Sequence, residues 1–133
     1  MGSKNRIFLG FITAQILHNC RNIFNENKLV ISKKKLAKIK IDHPCEAKYI
    51  AAFRFEELLG NTIASCTYKE NGIYNFIVCI EERYLIYGIS VNNFHNELAT
   101  VFQPSIRQLI KCQRSINFFS KVAQAEFERY IKN

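Results

Sequence analysis

Apolar residues recur at two different periods in this chain of 133 residues, and each period predicts a different kind of element. Over residues 7–25, Phe8, Ile12, Ile16, Ile23 and Phe24, with Leu9 and Cys20 beside them, make a broad stripe at helical spacing. Gln15, His18, Asn19 and Asn22 gather on the opposite face, so the segment reads as an amphipathic helix. Asn25-Glu26-Asn27 would end it with turn-prone residues. Residues 29–32 are a short β-like run. Residues 38–42 alternate charged and apolar side chains, which predicts a half-buried strand. Ile39 and Ile41 would point inward, Lys38, Lys40 and Asp42 outward, and His43 and Pro44 would close the strand. Residues 46–59 return to helical spacing through Ile50, Phe53 and Glu57, with Gly60-Asn61 as the stop.

The centre of the chain carries the clearest pattern. Residues 62–69 and 73–80 are rich in Ile, Val, Thr, Tyr, Phe and Cys, and Asn71-Gly72 lies between them as a tight hairpin turn. Glu81-Glu82-Arg83 makes the next turn, 84–91 a third strand, 92–96 another turn and 98–102 a fourth strand. Pro104 stops the series because it has no ladder donor. Residues 105–132 return to helix, broken near Arg114-Ser115, with Ile116, Phe119, Ala123, Phe127 and Tyr130 as a packing stripe. The fold class expected is α+β: an antiparallel four-stranded meander packed by N-terminal and C-terminal helices, one domain over residues 1–133.

Composition narrows this only slightly. Apolar residues make up 48% of the chain, with eleven Phe and six Tyr, enough to build one core. The five cysteines (Cys20, Cys45, Cys66, Cys79, Cys112) are widely spaced and form no CxxC or CxxH pair, so structural zinc lacks its usual ligands. Free thiols fit a reducing cytoplasm, which is the expected location. The longest charge-free run, residues 7–20, is too short to span a bilayer, so no membrane partner is expected.

Charge changes the picture more. The formal net charge is +8, and six lysines (Lys28, Lys33, Lys34, Lys35, Lys38, Lys40) fall between residues 28 and 41 with no acid among them. Asp42-His43-Pro44 follows directly. A dense set of cations ending on an imidazole can hold a phosphodiester beside a proton-transfer group; a solvated basic face is the plain alternative. RNA or another polyanion is the partner this favours. There is no Gly-rich phosphate loop, GxSxG turn or HExxH motif, and the acids are dispersed. An enzyme built on these residues would work without metal or cofactor. Metal-free RNA cleavage needs a group to take the 2′-OH proton, a group to protonate the leaving oxygen, and cations for the phosphorane. The candidates are His43 and His95 for proton transfer, Lys38, Lys40 or Arg54 at the phosphate, and Thr100 as a hydrogen-bond donor. Lys33, Lys34, Lys35 and Lys38 are the candidate nucleic-acid contacts. Each has a plainer reading: His95 as a loop residue, Thr100 as a strand former, Arg54 as a solvated helix residue.

The run Lys38-Ile39-Lys40-Ile41-Asp42-His43-Pro44, then a helix, then strands ending in Leu98-Ala99-Thr100-Val101-Phe102-Gln103-Pro104, resembles the Barnase–EndoU–colicin–RelE group of ribonucleases. The resemblance covers roughly residues 28–104. It implies a helical part packed on an antiparallel sheet and cleavage of RNA, often tRNA, without a metal. It also implies His43 and Thr100 as site positions, and a toxin or phage-type domain with a cognate inhibitor protein. The C-terminal helical segment departs from the simplest members. The rival class is a binding protein without chemistry: an immunity protein, a secretion chaperone or a host-directed effector. Immunity proteins against nucleases tend to be acidic, and this chain is basic.

Overall fold

The computed structural model describes residues 5–20, 23–50, 54–66, 72–91 and 95–132. Its strands are β1 (Arg6–Phe11), β2 (Lys28–Ser32), β3 (Thr62–Cys66), β4 (Ile73–Ile80), β5 (Arg83–Val91), β6 (Asn96–Phe102) and β7 (Ile116–Phe118). Its helices are α1 (Ala14–Asn19), α2 (Lys33–Asp42), α3 (Pro44–Ala47), α4 (Phe55–Gly60), α5 (Ile106–Cys112) and α6 (Lys121–Lys132). All seven strands share one sheet in the order β1-β2-β6-β5-β4-β3-β7. The α+β class stands, but the four strands expected at 62–102 are the middle of a wider sheet.

The central strands follow their local chemistry. Two-residue hairpin geometry links β4 to β5: Ile80 pairs with Arg83, and Glu81 and Glu82 take φ of 52° and 62°. Gly72, at φ +76°, precedes β4, while Asn71 and residues 67–69 lie outside the described residues. Residues 92–94 of the following turn also lie outside them. A bulge leaves Ala99 unmatched in β6, because Gly88 pairs with Thr100 and Ile89 with Leu98.

The additional strands correct two expectations. Residues 7–25 are not one helix: Arg6–Phe11 is an edge strand antiparallel to β2, and among the described residues of this stretch only Ala14–Asn19 is helical, capped by the Thr13 side chain. The charge-free residues Leu29, Val30 and Ile31 of β2 need a partner on the side away from β6, and β1 supplies those ladder bonds. Gly10, at φ +154°, has a backbone unsuited to a helix and sits where the register shifts. At the other end, Ile116 belongs to β7, which pairs with β3, and not to a helical stripe. It covers an edge that would otherwise present unpaired backbone groups. Pro104 does end the series, and Ser105 with Gln108 then starts α5 through a complete capping box.

Residues 38–42 form no strand. The Ser32 hydroxyl accepts from Lys35 N–H at 3.0 Å and starts α2, which runs through Asp42. Ile39 is 3% exposed but Ile41 79%, since residues two apart point nearly opposite ways on a helix. Residues 46–59 are likewise divided, into α3, a single 3₁₀ turn at Lys48–Ile50, and α4, with 51–53 outside the described residues.

Each sheet face has its own core. On one, Ile16 of α1, Ile39 of α2, and Phe55 and Leu58 of α4 cover Phe76, Leu85, Tyr87 and Val101. On the other, Leu109 of α5 and Phe127 of α6 cover Ile77, Tyr84 and Ile86. Burying each such side chain contributes about 1.5–3 kcal/mol, so both layers are needed to hold the sheet. The five cysteines are free thiols, and a hydrogen bond with Cys112 together with burial pushes the Cys66 thiol far up. Among the described residues no helix is long and apolar enough to cross a membrane.

Candidate functional site

Helix α2 sets the first wall. Lys35, Lys38, Ile39 and Asp42 recur at helical spacing, and all four line one cavity with His43, Ala99 and Thr100. The volume of that cavity is about 240 Å³. His43 is fixed by its position between two helices. Its N–H donates to the Ile39 carbonyl at 2.7 Å, ending α2, and its carbonyl accepts from Ala47 N–H at 3.0 Å, starting α3. Pro44 takes the first position of α3 and disfavours helical geometry at the residue before it; His43 accordingly sits at φ −138°, ψ 63°. The imidazole is thus held at a helix junction with its side chain 36% exposed. Its ring lies 6.2 Å from the Phe102 ring, and Nδ1 is 4.0 Å from Glu46 Oε1.

Strand β6 makes the facing wall. The bulge at Ala99 lets both Ala99 and Thr100 border the cavity. A second cavity of about 340 Å³ adjoins the first and shares Lys35, Ala99 and Thr100 with it. Ile73, Asn75, Phe102 and Gln108 complete its lining. The two form one cleft at the β6 side of the sheet, between α2 and α5.

The cleft brings together His43, Thr100, Lys35 and Lys38. Lys40 is exposed but does not line it, nor do Lys33 and Lys34 in the first turn of α2. Arg54 is engaged elsewhere: its guanidinium lies 5.4 Å from the Tyr49 ring centroid, and Nε is 3.2 Å from Glu57 Oε1. His95 stands five residues before Thr100, roughly 16 Å along an extended strand, and its Nε2 is 2.6 Å from Glu97 Oε1. Glu97 also accepts from Arg6 Nε at 2.7 Å. Burial works against the Glu97 charge, but Arg6 and His95 outweigh it and hold the carboxyl below its usual range.

Asn75 and Gln108 line the cleft without any pattern pointing to them, and Asp42 and Phe102, which also line it, stood in the runs that carry the resemblance without a role at the site. Asp42 was assigned to the outer face of a strand, whereas the spacing 35, 38, 39, 42 is that of one helix face. Asn75 left a visible sign, a polar residue within the otherwise apolar run of β4.

Chemically, the cleft offers two ammonium groups, an imidazole open to solvent, a hydroxyl and one carboxylate. That set can hold a phosphodiester and move a proton at it. Among the described residues no three His, Cys, Asp or Glu side chains gather to hold a metal ion. No protein-family model, curated protein or solved structure matches this chain.

Proposed function

We propose that this protein is a metal-independent ribonuclease-like domain of the toxin or effector kind, acting on RNA in the cleft between α2 and β6. The observation that supports it best is the shared cavity of His43, Thr100, Lys35 and Lys38. The resemblance of residues 28–104 to the Barnase–EndoU–colicin–RelE ribonucleases supports the same reading. So does the start of α2: Lys33, Lys34 and Lys35 fill its first turn with no acid present, where cations oppose the helix dipole. An anion bound beside that turn would offset this repulsion.

In the proposed reaction the ribose 2′-oxygen attacks the adjacent phosphorus, forming the 2′-O–P bond while the P–O5′ bond breaks. The 2′-OH proton leaves to a base and the departing O5′ receives a proton, giving a 2′,3′-cyclic phosphate and a 5′-OH. His43 carries one of these proton transfers, and Lys35 and Lys38 stabilise charge on the phosphorane oxygens. Thr100 orients a phosphate oxygen by donating its hydroxyl hydrogen. Lys40 and Arg54, which lie off the cavity, contribute only to the wider basic field.

Total tRNA incubated with the protein in excess chelator tests this. Fragments ending in 2′,3′-cyclic phosphate and beginning with 5′-OH are expected. Intact RNA, or fragments with 3′-OH and 5′-phosphate ends, would overturn the reading.

A further inference from the structure

Asn75, Gly88 and Thr100 stand side by side across β4, β5 and β6, since Asn75 pairs with Gly88 and Gly88 with Thr100. Asn75 is only 6% exposed, yet among the described residues nothing hydrogen-bonds its side-chain amide. Its oxygen and nitrogen are not sealed off from the cleft, so donor and acceptor both stay open to a ligand there. The amide lines the larger half of the cleft. Gly88 leaves room for that side chain: a Cβ there would lie 2.9 Å from Asn75 Oδ1 and 3.3 Å from Thr100 Cγ2. Glycine inside a strand often marks close approach of another group.

The surroundings define what fits. Ile73 and Phe102 supply apolar walls, Gln108 a second amide, and Lys35 a cation at the junction with the His43 cavity. A planar ring with a hydrogen-bonding edge, attached to a phosphate, matches this set. The Asn75 amide presents a donor beside an acceptor, the pattern complementary to the edge of a nucleobase. The volume of about 340 Å³ lies within the range of small-ligand sites. Single-stranded RNA offers unstacked bases of this kind.

We infer that this half of the cleft is a nucleobase subsite in which Asn75 reads the base edge and Gly88 leaves the Asn75 amide its position. The base belongs to the nucleotide whose phosphate lies at Lys35 and His43, so the inference rests on the RNA-cleaving reading of the adjoining cavity. Asn75 is a binding and specificity residue, with no part in proton transfer.

Equilibrium binding separates this from cleavage. The four ribonucleoside 5′-monophosphates are titrated against ribose 5-phosphate as the base-free probe, with wild type, Asn75→Leu and Gly88→Ala. Asn75→Leu keeps the branching of the side chain and removes the amide donor and acceptor. At least one nucleotide is expected to bind wild type about tenfold more tightly than ribose 5-phosphate, the order of one good amide–base pairing. Both variants are expected to lose that advantage while binding ribose 5-phosphate as wild type does. Nucleotides that bind wild type no better than ribose 5-phosphate would overturn the subsite. So would an advantage that survives in both variants. Base-dependent binding that needs Asn75, in a protein that leaves RNA intact, supports the subsite and refutes the cleavage chemistry alone.

Discussion

His43 owes its position to backbone chemistry on both sides of it. As the C-terminal cap of α2 and the N-terminal cap of α3, with Pro44 restricting it further, it has little freedom to leave the cleft. The lysines differ in the same local way. Lys35 and Lys38 face the cavity while Lys40, two residues on, projects from another side of the helix. Replacing Lys35 and Lys38 by Gln is therefore expected to weaken RNA binding and flatten its salt dependence. Each lost phosphate contact lowers the slope of log K against log salt by about 0.7 for a single strand. Lys40→Gln is expected to leave that slope close to wild type. Filter binding across a salt series checks both. Glu97 is a second residue with a definite expectation. Its carboxyl is held below the unfolded value of about 4.3, so its contribution is present above that pH and is lost as pH falls through the folded value. Urea unfolding from pH 7 to pH 3 should show Glu97→Gln less stable than wild type at neutral pH, with the two curves converging in acid.

Strands and helices were legible wherever local chemistry decided them. The Glu81-Glu82 turn, β4, β5 and the stop at Pro104 follow from turn residues, β-branched runs and a missing donor, which act over a few positions. The edges of the sheet were not. Residues 6–11 and 116–118 satisfy a helical stripe, and only pairing with β2 and β3 selects the strand. Alternation in 38–42 misled for the related reason that Ile39 and Ile41 read as one face until the Ser32 cap starts a helix. The turn at 81–82 offers a test. Glu82 holds φ of 62°, a region unfavourable to residues with a Cβ, so Glu82→Gly is expected to stabilise the fold by about 0.5–1 kcal/mol. Glu81 is a poorer target, because its carboxylate accepts a hydrogen bond from the Tyr49 hydroxyl at 2.9 Å. An unchanged or lower urea midpoint for Glu82→Gly would show that the turn carries no such strain.

Taken as one molecule, the protein places its cleft where two layers end. Helix α2 belongs to the core on one face of the sheet and α5 to the core on the other, so the groove between them opens beside β6. His43, Lys35, Lys38 and Thr100 could be picked out by residue type and resemblance; their meeting depends on the β6 bulge, which has no local signature, and on the helical form of 33–42, whose one local sign is the Ser32 cap. Asn75 and Gly88 gain their meaning only from strand register. The most direct test is the single-turnover rate of tRNA cleavage in excess chelator, for wild type and His43→Ala, with equal far-UV circular dichroism confirming that both are folded. A loss of about 10²- to 10⁴-fold in His43→Ala is predicted, the usual effect of removing a proton-transfer group. Equal rates for the two folded proteins would contradict the role assigned to His43 and to the cleft around it.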